Sequence, residues 1–334
     1  MNLKSPYPYF GGKARVAAKI WQALGDVPNY VEPFFGGGSV LLARPAEHLT
    51  GVPLETVNDK DGYISCFWRA IKADARKVAE YADWPVNEND LHARHAWLVG
   101  QRESMTARLE GDPDWYDAKI AGWWVWGMSC YIGGEFCSGK GPWQQINGEL
   151  VRLDGSAGLG VKRARVHLGG QYSEGQGIHS TYGKNHLYEW FDALQVRLKR
   201  VRVASGDWTR VMTDSVTVIH GLTGVVLDPP YIMDNREQLY THDGPDIAAA
   251  ARQWAIAHGD NPLLRIVYCG YDDGFVWPDG WRMIEWKPPG GYGSHDKGNR
   301  ERERLYLSRT ASALLMFSSC PSLTSRKDLD KSWR

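Results

Sequence analysis

The stretch from Gly224 to Tyr231, Gly-Val-Val-Leu-Asp-Pro-Pro-Tyr, restricts the fold of this chain more than any other part of the sequence. Three consecutive apolar residues before an acid predict a short strand buried on both faces, which is typical of parallel sheets covered by helices. The paired prolines stop the strand, so they place Asp228 at its carboxyl end. Ligands of open α/β sheets bind at that edge, and the stretch therefore predicts a site there.

The chemistry of this corner suits an amino group. Pro229 and Pro230 have no backbone N–H groups, so the Asp228 carboxylate and the Pro229 carbonyl are acceptors on a stiff turn. Tyr231 adds an aromatic ring that could stack on a planar group. The alternative is an ordinary turn at the end of a strand.

Asp-Pro-Pro-Tyr after an apolar strand resembles the catalytic motif of amino-group DNA methyltransferases, and the Asp form is usual in N6-adenine enzymes. Two other stretches fit the Dam-like (alpha-class) N6-adenine-specific DNA methyltransferase family in the same order. The first is the aromatic-Gly-Gly-Lys segment 9–13, and the second, at 32–40, resembles the family's Glu-Pro-Phe-x-Gly-x-Gly motif. The resemblance covers residues 5–61 and 201–309.

The resemblance implies a Rossmann-like S-adenosylmethionine-dependent methyltransferase fold. Its mostly parallel seven-stranded sheet would end in an antiparallel hairpin. We expect the catalytic domain at 1–63 and 201–310, a mainly helical and loop-like target-recognition insertion at 64–200, and a polar tail at 311–334.

S-adenosylmethionine is the cofactor that the resemblance implies, with no metal. The glycines would let backbone approach it closely, and their spacing lacks the Gly-Lys-Ser/Thr of a phosphate-binding loop, which disfavours nucleotide hydrolysis. The predicted cofactor-binding residues are Tyr9, Phe10, Gly11, Gly12, Lys13, Glu32, Pro33, Phe34, Phe35, Gly36, Gly38, Asp59, Asp207 and Trp208.

Two of these acids have competing interpretations. Asp59 follows the second predicted strand, where an acid accepts hydrogen bonds from ribose hydroxyls, whereas Asp61 is more typical of a helix N-cap. Asp207 follows the third predicted strand and could accept a hydrogen bond from the adenine amino group. A helix N-cap is an equally weighted interpretation of Asp207.

The remaining pattern predicts strands at 30–33, 55–58, 201–204, 263–269, 281–286 and 304–308. Helices are predicted at 15–24, 64–81, 90–109, 116–130 and 246–258, and residues 133–177 are glycine-rich and loop-like. His92 and His95 lie three apart without acid or cysteine partners in metal-ligand spacing, which favours helix surface.

Net charge is zero, so binding to a polyanion requires a local basic patch. Residues 151–210 contain ten Lys or Arg against five Asp or Glu, and phosphate contact is one use of that excess. A solvated loop without function is the alternative. The predicted DNA-binding residues are Lys140, Arg152, Lys162, Arg163, Arg165, Arg236, Lys297 and Arg300.

Composition favours a cytoplasmic globular protein. Hydrophobic residues make up 43% of the chain, without an apolar run long enough to cross a membrane and without the apolar core of a signal peptide. The five scattered cysteines fit reduced, packed thiols.

The expected reaction is transfer of a methyl group to the N6 atom of an adenine flipped out of double-stranded DNA. Alternatives are the same fold acting on cytosine N4, an RNA base or a glutamine amide, and a catalytically silent DNA-binding module. A Ser at position 228 would favour cytosine and an Asn would favour glutamine. A cognate restriction endonuclease and an orphan, phage-encoded enzyme both stay open, as does the oligomeric state.

Overall fold

The computed structural model describes residues 3–9, 11–131, 136–137, 143–146, 149–152, 186–230, 245–286 and 302–311. Its strands are β1 (Asn29–Glu32), β2 (Leu54–Asp59), β3 (Trp143–Ile146), β4 (Glu149–Arg152), β5 (Val201–Ser205), β6 (Thr223–Leu227), β7 (Leu264–Tyr271), β8 (Arg282–Glu285) and β9 (Glu303–Leu307). Its α-helices are α1 (Ala17–Leu24), α2 (Ser39–Leu42), α3 (Gly62–Ala82), α4 (Glu88–Gly111), α5 (Ala118–Cys130), α6 (His186–Leu198) and α7 (Pro245–His258). Short 3-10 helices lie at Ala46–Leu49 and Trp208–Val211.

Seven strands form one sheet in the order β5-β2-β1-β6-β7-β9-β8. The first five are parallel, whereas β9 pairs antiparallel with both β7 and β8. The mixed α/β architecture, with a mostly parallel sheet, is therefore confirmed. The strand order reverses direction at β1, where ligands of such sheets bind.

Helices cover both faces of the sheet. On one face, Leu24 of α1, Phe67 of α3 and Phe191 of α6 share a core with Val226 of β6. On the other, Ala251 of α7 packs with Val225 and its neighbours. Strand β6 is buried on both faces, as its continuous apolar run predicts.

Two features of the middle of the chain differ from expectation. A two-stranded antiparallel hairpin, β3 with β4, occurs within the stretch expected to be loop, and the sequence between its strands is Asn147-Gly148, the pair that favours tight hairpins. Helix α6 was not predicted either, and it buries Phe191 and Leu194 in the main core. The boundaries of the inserted region stay a prediction.

The interpretation of His95 as helix surface was wrong. Its side chain is only 2% exposed, and neither ring nitrogen has a hydrogen-bond partner within the described part of the chain. Burial lowers the pKa of His95 to about 4, so the ring is neutral and packs near Phe136 and Tyr131. Because α4 is covered by the segment that follows α5, a position that looked exposed on the helix is internal.

Four of the predicted reduced thiols, Cys66, Cys130, Cys137 and Cys269, are free and buried, while Cys320 lies outside the described residues. None of the helices in the described ranges combines the length and apolar character needed to cross a membrane.

Candidate active site

Acidic side chains collect at one edge of the sheet. Glu32 and Asp59 are the last residues of β1 and β2, and Asp228 directly follows β6. These strands are parallel, so their carboxyl ends meet at the same edge. The structure thus places three of the predicted site residues close together, although they are far apart in sequence.

Lys13 joins the N-terminal segment to this edge. Its ammonium nitrogen lies 2.8 Å from Oδ2 of Asp228 and donates to the Gly11 carbonyl at 2.7 Å. The lysine side chain is 3% exposed, and that of Asp228 is 21% exposed. Burial acts to lower the pKa of Lys13, but Asp228 and other nearby acids outweigh it and raise that pKa. Lys13 therefore stays charged, and the Asp228 side chain that it contacts is partly exposed.

The turn after β1 approaches the N-terminal segment so closely that Gly36 has no room for a side chain. A Cβ at this position would lie 2.4 Å from Cε1 of Tyr9, and φ is +47°. The Gly36 carbonyl accepts hydrogen bonds from the Tyr7 hydroxyl at 2.7 Å and from the Trp68 indole at 3.1 Å. Backbone, rather than side chain, therefore lines the site here.

Asp59 holds the same turn from the other side. Its Oδ2 accepts from the Gly36 amide at 2.8 Å, and its Oδ1 accepts from the Asp61 amide at 2.9 Å. Asp61 accepts from the Tyr63 amide and is the N-cap of α3, which confirms that interpretation. Contact between Asp59 and a ribose stays a prediction.

Asn58 was not singled out in the sequence, yet it ties strand ends together. Its side-chain amide donates to the carbonyls of Pro33, at 3.1 Å, and Gly206, at 3.0 Å. Because Pro33 follows β1 and Gly206 follows β5, the 1% exposed Asn58 fixes the spacing of three neighbouring strand ends. An Asn inside a strand carries no sequence signal for this role.

Glu32 is a buried carboxyl group whose hydrogen-bond donors include the Tyr30 hydroxyl and the Leu41 backbone amide. It is 3% exposed and accepts a hydrogen bond from the Tyr30 hydroxyl at 2.8 Å. Burial raises the pKa of Glu32 to about 8 against the Tyr30 hydrogen bond, and Asp228 and Asp59 push it further in the same direction. Burial and the charge of Asp61 likewise raise the pKa of Asp59 to about 7. Without a ligand, Glu32 and Asp59 at this edge are therefore partly protonated near neutral pH.

We expect the free energy of unfolding to fall between pH 6.5 and 8.5, by on the order of 1 kcal/mol for each such group. The folded protein gives up protons in this window, whereas the unfolded chain has already lost them near the usual value of 4.5 for Glu32. Urea unfolding at three pH values between 6.5 and 8.5 measures the slope of the free energy of unfolding against pH. Glu32→Gln keeps an acceptor for Tyr30 and is expected to flatten the slope; an unchanged slope would contradict the assigned pKa.

Aromatic rings form the wall beyond the glycines. The half-buried Phe34 stacks on Trp208 with ring centroids 5.8 Å apart and an interplanar angle of 28°. Phe35, by contrast, is 3% exposed and packs on Trp68 in the core, so only its backbone faces the turn. Asp207 accepts from the Thr209 amide and hydroxyl, which confirms the N-cap interpretation. Its contact with an adenine stays a prediction.

The other predicted site residues differ in what the structure shows. Pro33 is buried beside the glycine turn, Gly38 adopts φ +68°, and Gly12 would bring a Cβ within 3.3 Å of the Tyr9 carbonyl. Pro229 is buried and Pro230 is half-buried. Outside the described residues lie Phe10, Tyr231, Lys140, Lys162, Arg163, Arg165, Arg236, Lys297 and Arg300. Arg152 is the last residue of β4.

One residue of the predicted basic excess is not available for DNA. Arg197 binds both carboxylate oxygens of Glu55, at 2.6 and 2.8 Å, in a pair whose side chains are 11% and 4% exposed. Arg44 contacts the same carboxylate at 3.2 Å. Arg197 is therefore part of the packing of α6 on the sheet.

Among the described residues, no group of three or more His, Cys, Asp or Glu side chains is arranged to hold a metal ion. The edge instead offers carboxylates, a glycine turn and an aromatic wall. Such a set suits a cationic ligand with a planar ring.

Comparison with known proteins agrees with the motifs. No curated protein matches the chain significantly. A family model described as D12 class N6 adenine-specific DNA methyltransferase matches residues 9–96, a range that contains the glycine turn, Lys13, Glu32 and Asp59. This match over residues 9–96 agrees with the resemblance indicated by the motifs.

Proposed function

We propose that the protein transfers a methyl group from S-adenosylmethionine to the N6 atom of an adenine in double-stranded DNA. The observation that carries this proposal is the meeting of three separate sequence motifs at one sheet edge. Lys13 contacts Asp228 at 2.8 Å, while Glu32 and the Gly36 turn lie beside them. The family match at residues 9–96 supports the same activity.

The residues at the edge fit S-adenosylmethionine. Gly36 packs so closely on Tyr9 that a Cβ would collide with the ring, and this contact fixes the glycine turn against which the cofactor is proposed to bind. Glu32 and Asp228 provide negative charge for the methionine end, and the Phe34–Trp208 pair provides a flat apolar surface for a purine ring. When bound, the cofactor supplies an electrophilic methyl group on a positively charged sulfur. A Rossmann-like arrangement, with the ligand at the reversal of strand order, is part of the proposal.

Asp228 and the Pro229 carbonyl would hold the target amine. The adenine N6 lone pair is delocalised into the ring, which makes the amine a poor nucleophile. Hydrogen bonds from both N6 hydrogens to these acceptors favour a tetrahedral nitrogen with a localised lone pair. Most of the acceleration would come from fixed orientation and from acceptors already aimed at the developing positive charge.

A base inside a duplex cannot reach this corner, so the nucleotide must leave the stack. Tyr231 is proposed to stack on it, which is worth on the order of 1–3 kcal/mol. Phosphate contacts are assigned to the basic residues between α5 and α6 in sequence and to Arg236, Lys297 and Arg300.

Nucleoside analysis tests the proposed reaction. After incubation of the purified protein with S-adenosylmethionine and mixed-sequence duplex DNA, digestion of the DNA should yield N6-methyl-2′-deoxyadenosine. N4-methylcytosine would favour the cytosine alternative, since the fold and cofactor would be shared. No modified base in DNA that the protein binds would favour a silent DNA-binding module.

We expect cofactor binding to release protons. A positively charged ligand favours the ionised forms of Glu32 and Asp59, whose pKa values are about 8 and 7 in the free protein. Affinity for S-adenosylmethionine should therefore rise from pH 6.0 to 7.5, by up to about tenfold per pH unit for each proton released. Calorimetry in two buffers with different protonation enthalpies counts the protons.

S-adenosylhomocysteine is the matched control ligand because it lacks the charge on sulfur. Its binding is expected to release fewer protons. Equal proton release by the two ligands would show that the acids do not respond to the sulfonium charge.

A further inference from the structure

Glu303 is a second acidic residue at the reacting edge, and no sequence motif drew attention to it. It is the first residue of β9 and pairs with Tyr271 of β7. Because β9 runs antiparallel to its neighbours, its beginning lies at the edge where the parallel strands end. Trp286 directly follows β8, whose last pair with β9 is Glu285↔Arg304, so Trp286 and Glu303 are each the next residue beyond that pair.

Both side chains have buried polar atoms without partners. Glu303 is 6% exposed, and its Oε2 has no hydrogen-bond partner among the residues that the structure describes. Trp286 is 7% exposed, and within the same residues its indole nitrogen also has none. Leaving a buried carboxylate oxygen or N–H group unpaired costs about 1–3 kcal/mol. The pair therefore forms a polar pocket that folding alone does not explain.

The pocket lies beside Lys13. The ammonium nitrogen is 5.8 Å from the centroid of the Trp286 ring, and Glu303 is among the acids that raise the pKa of Lys13. The 2.8 Å contact, however, is with Asp228. The buried Lys13 ammonium thus lies near the carboxylates of Asp228 and Glu303. It is paired with Asp228, which is proposed to bind the target amine.

This arrangement creates a conflict during the proposed reaction. The target amine and Lys13 both donate to Asp228, and a carboxylate whose charge is neutralised by an ammonium is a weaker acceptor for the amine. Lys13 cannot simply lose its counter-ion, because an unpaired charge that is 3% exposed is strongly destabilising. A second carboxylate within the same pocket removes the conflict.

We propose that Glu303 is a positioning residue that receives the Lys13 ammonium when Asp228 accepts the target amine, an inference that rests on the proposed methyltransferase function. Trp286 would complete the pocket by offering its indole N–H to the other side of the Glu303 carboxylate. No bond is made or broken in this step, and the ammonium only changes carboxylate partner.

The transfer of Lys13 requires Glu303 to be ionised. Burial raises the pKa of Glu303 to about 7; Lys13 opposes that shift and Asp228 adds to it. The Cys269 thiol on β7 also faces this group, and burial raises its pKa so that it stays neutral. Glu303 therefore gains its charge close to neutral pH, where the rate of methyl transfer should respond.

Glu303→Gln tests the proposal through the pH profile of transfer. In the wild-type protein the maximal rate at saturating DNA and cofactor should rise from pH 6.5 to 8.5. In the variant we expect about a tenfold lower rate at pH 8.5. The increase in rate with a midpoint near pH 7 should be lost. Glu303→Asp, which still ionises, should restore part of that increase in rate with pH.

Glu285→Gln is the matched control. It removes a carboxylate from the same hairpin, but its side chain is 72% exposed and its partner is Arg304, at 3.5 Å. Its pH profile should equal that of the wild-type protein.

Thermal unfolding without ligands gives a readout that does not depend on activity. Because the folded protein raises the pKa of Glu303, ionisation of this group destabilises the wild-type fold as pH rises through 7. Glu303→Gln should therefore melt at a higher temperature than the wild-type protein, by a few degrees at pH 8.5 and less at pH 6.5.

The results separate failure of this inference from failure of the proposed function. A wild-type protein that methylates adenine, with a Glu303→Gln variant of unchanged rate and pH profile, would overturn only the role of Glu303. A wild-type protein that methylates no adenine at any pH would overturn the proposed function and this inference with it. A variant that is both slower and less stable at every pH would assign Glu303 a structural role and also overturn the inference.

Discussion

Asp228→Asn is expected to lower the rate of methyl transfer by roughly 10²–10³-fold or more, because it removes the charged acceptor from the developing positive charge on the amine. The amide keeps the shape of the side chain and one of its two acceptors. Single-turnover kinetics of cofactor-dependent methylation of duplex DNA measure the loss of rate. Because Asp228 forms part of a pre-arranged site, the change should appear in the rate of transfer more than in DNA binding.

Asn is preferred to Ala at this position because of Lys13. The lysine is 3% exposed and its charge contacts Asp228 at 2.8 Å, so removing the whole side chain leaves a buried ammonium without this partner. Such a change costs roughly 3–5 kcal/mol and would mix unfolding with loss of chemistry.

Asp260→Asn serves as the control for the loss of an Asp charge. Its side chain is 82% exposed and contacts Arg309 at 3.7 Å, away from the edge of the sheet. This variant should keep the wild-type rate. An Asp228→Asn protein that is folded and as active as this control would refute the catalytic assignment.

Gly36→Ala is expected to destabilise the protein by about 3 kcal/mol or more. The new Cβ would lie 2.4 Å from the Tyr9 ring in a backbone conformation, φ +47°, that Ala rarely adopts. Any relief requires the turn to move, and with it the amide that binds Asp59 at 2.8 Å. Urea unfolding gives the stability loss, and calorimetry should show that affinity for S-adenosylmethionine falls as well.

Gly51→Ala is the matched control for Gly36→Ala. A Cβ at Gly51 meets no atom of the described residues within 4 Å, and its φ is not positive. The control should unfold within about 0.5 kcal/mol of the wild-type protein. Equal stability of the two variants would show that the turn is not as closely packed as the structure indicates.

The sequence predicted those parts of the site that depend on local patterns. A short apolar run followed by two prolines specifies where a strand ends, so Asp228 could be placed at the sheet edge before the structure was known. Glu32 and Asp59 follow the same rule, since each is the last residue of a parallel strand. Their common edge follows from parallel pairing alone.

Residues whose role depends on pairing across the chain were missed. Glu303 begins a strand, and it reaches the reacting edge only because β9 runs antiparallel to β7, which no local pattern states. His95 was taken for surface because a helix pattern does not show what covers it. Helix α6, whose Phe191 enters the core, lies next to a long glycine-rich stretch that suggested loop.

A crystal structure of the protein with bound S-adenosylmethionine tests the central claim most directly, since that claim joins the glycine turn and the Asp228 corner into one site. We expect the methionine end against Gly36 and Glu32, with the methyl group directed at the space beside Asp228 and the Pro229 carbonyl. A cofactor bound elsewhere, or one whose methyl group faces away from Asp228, would contradict the account.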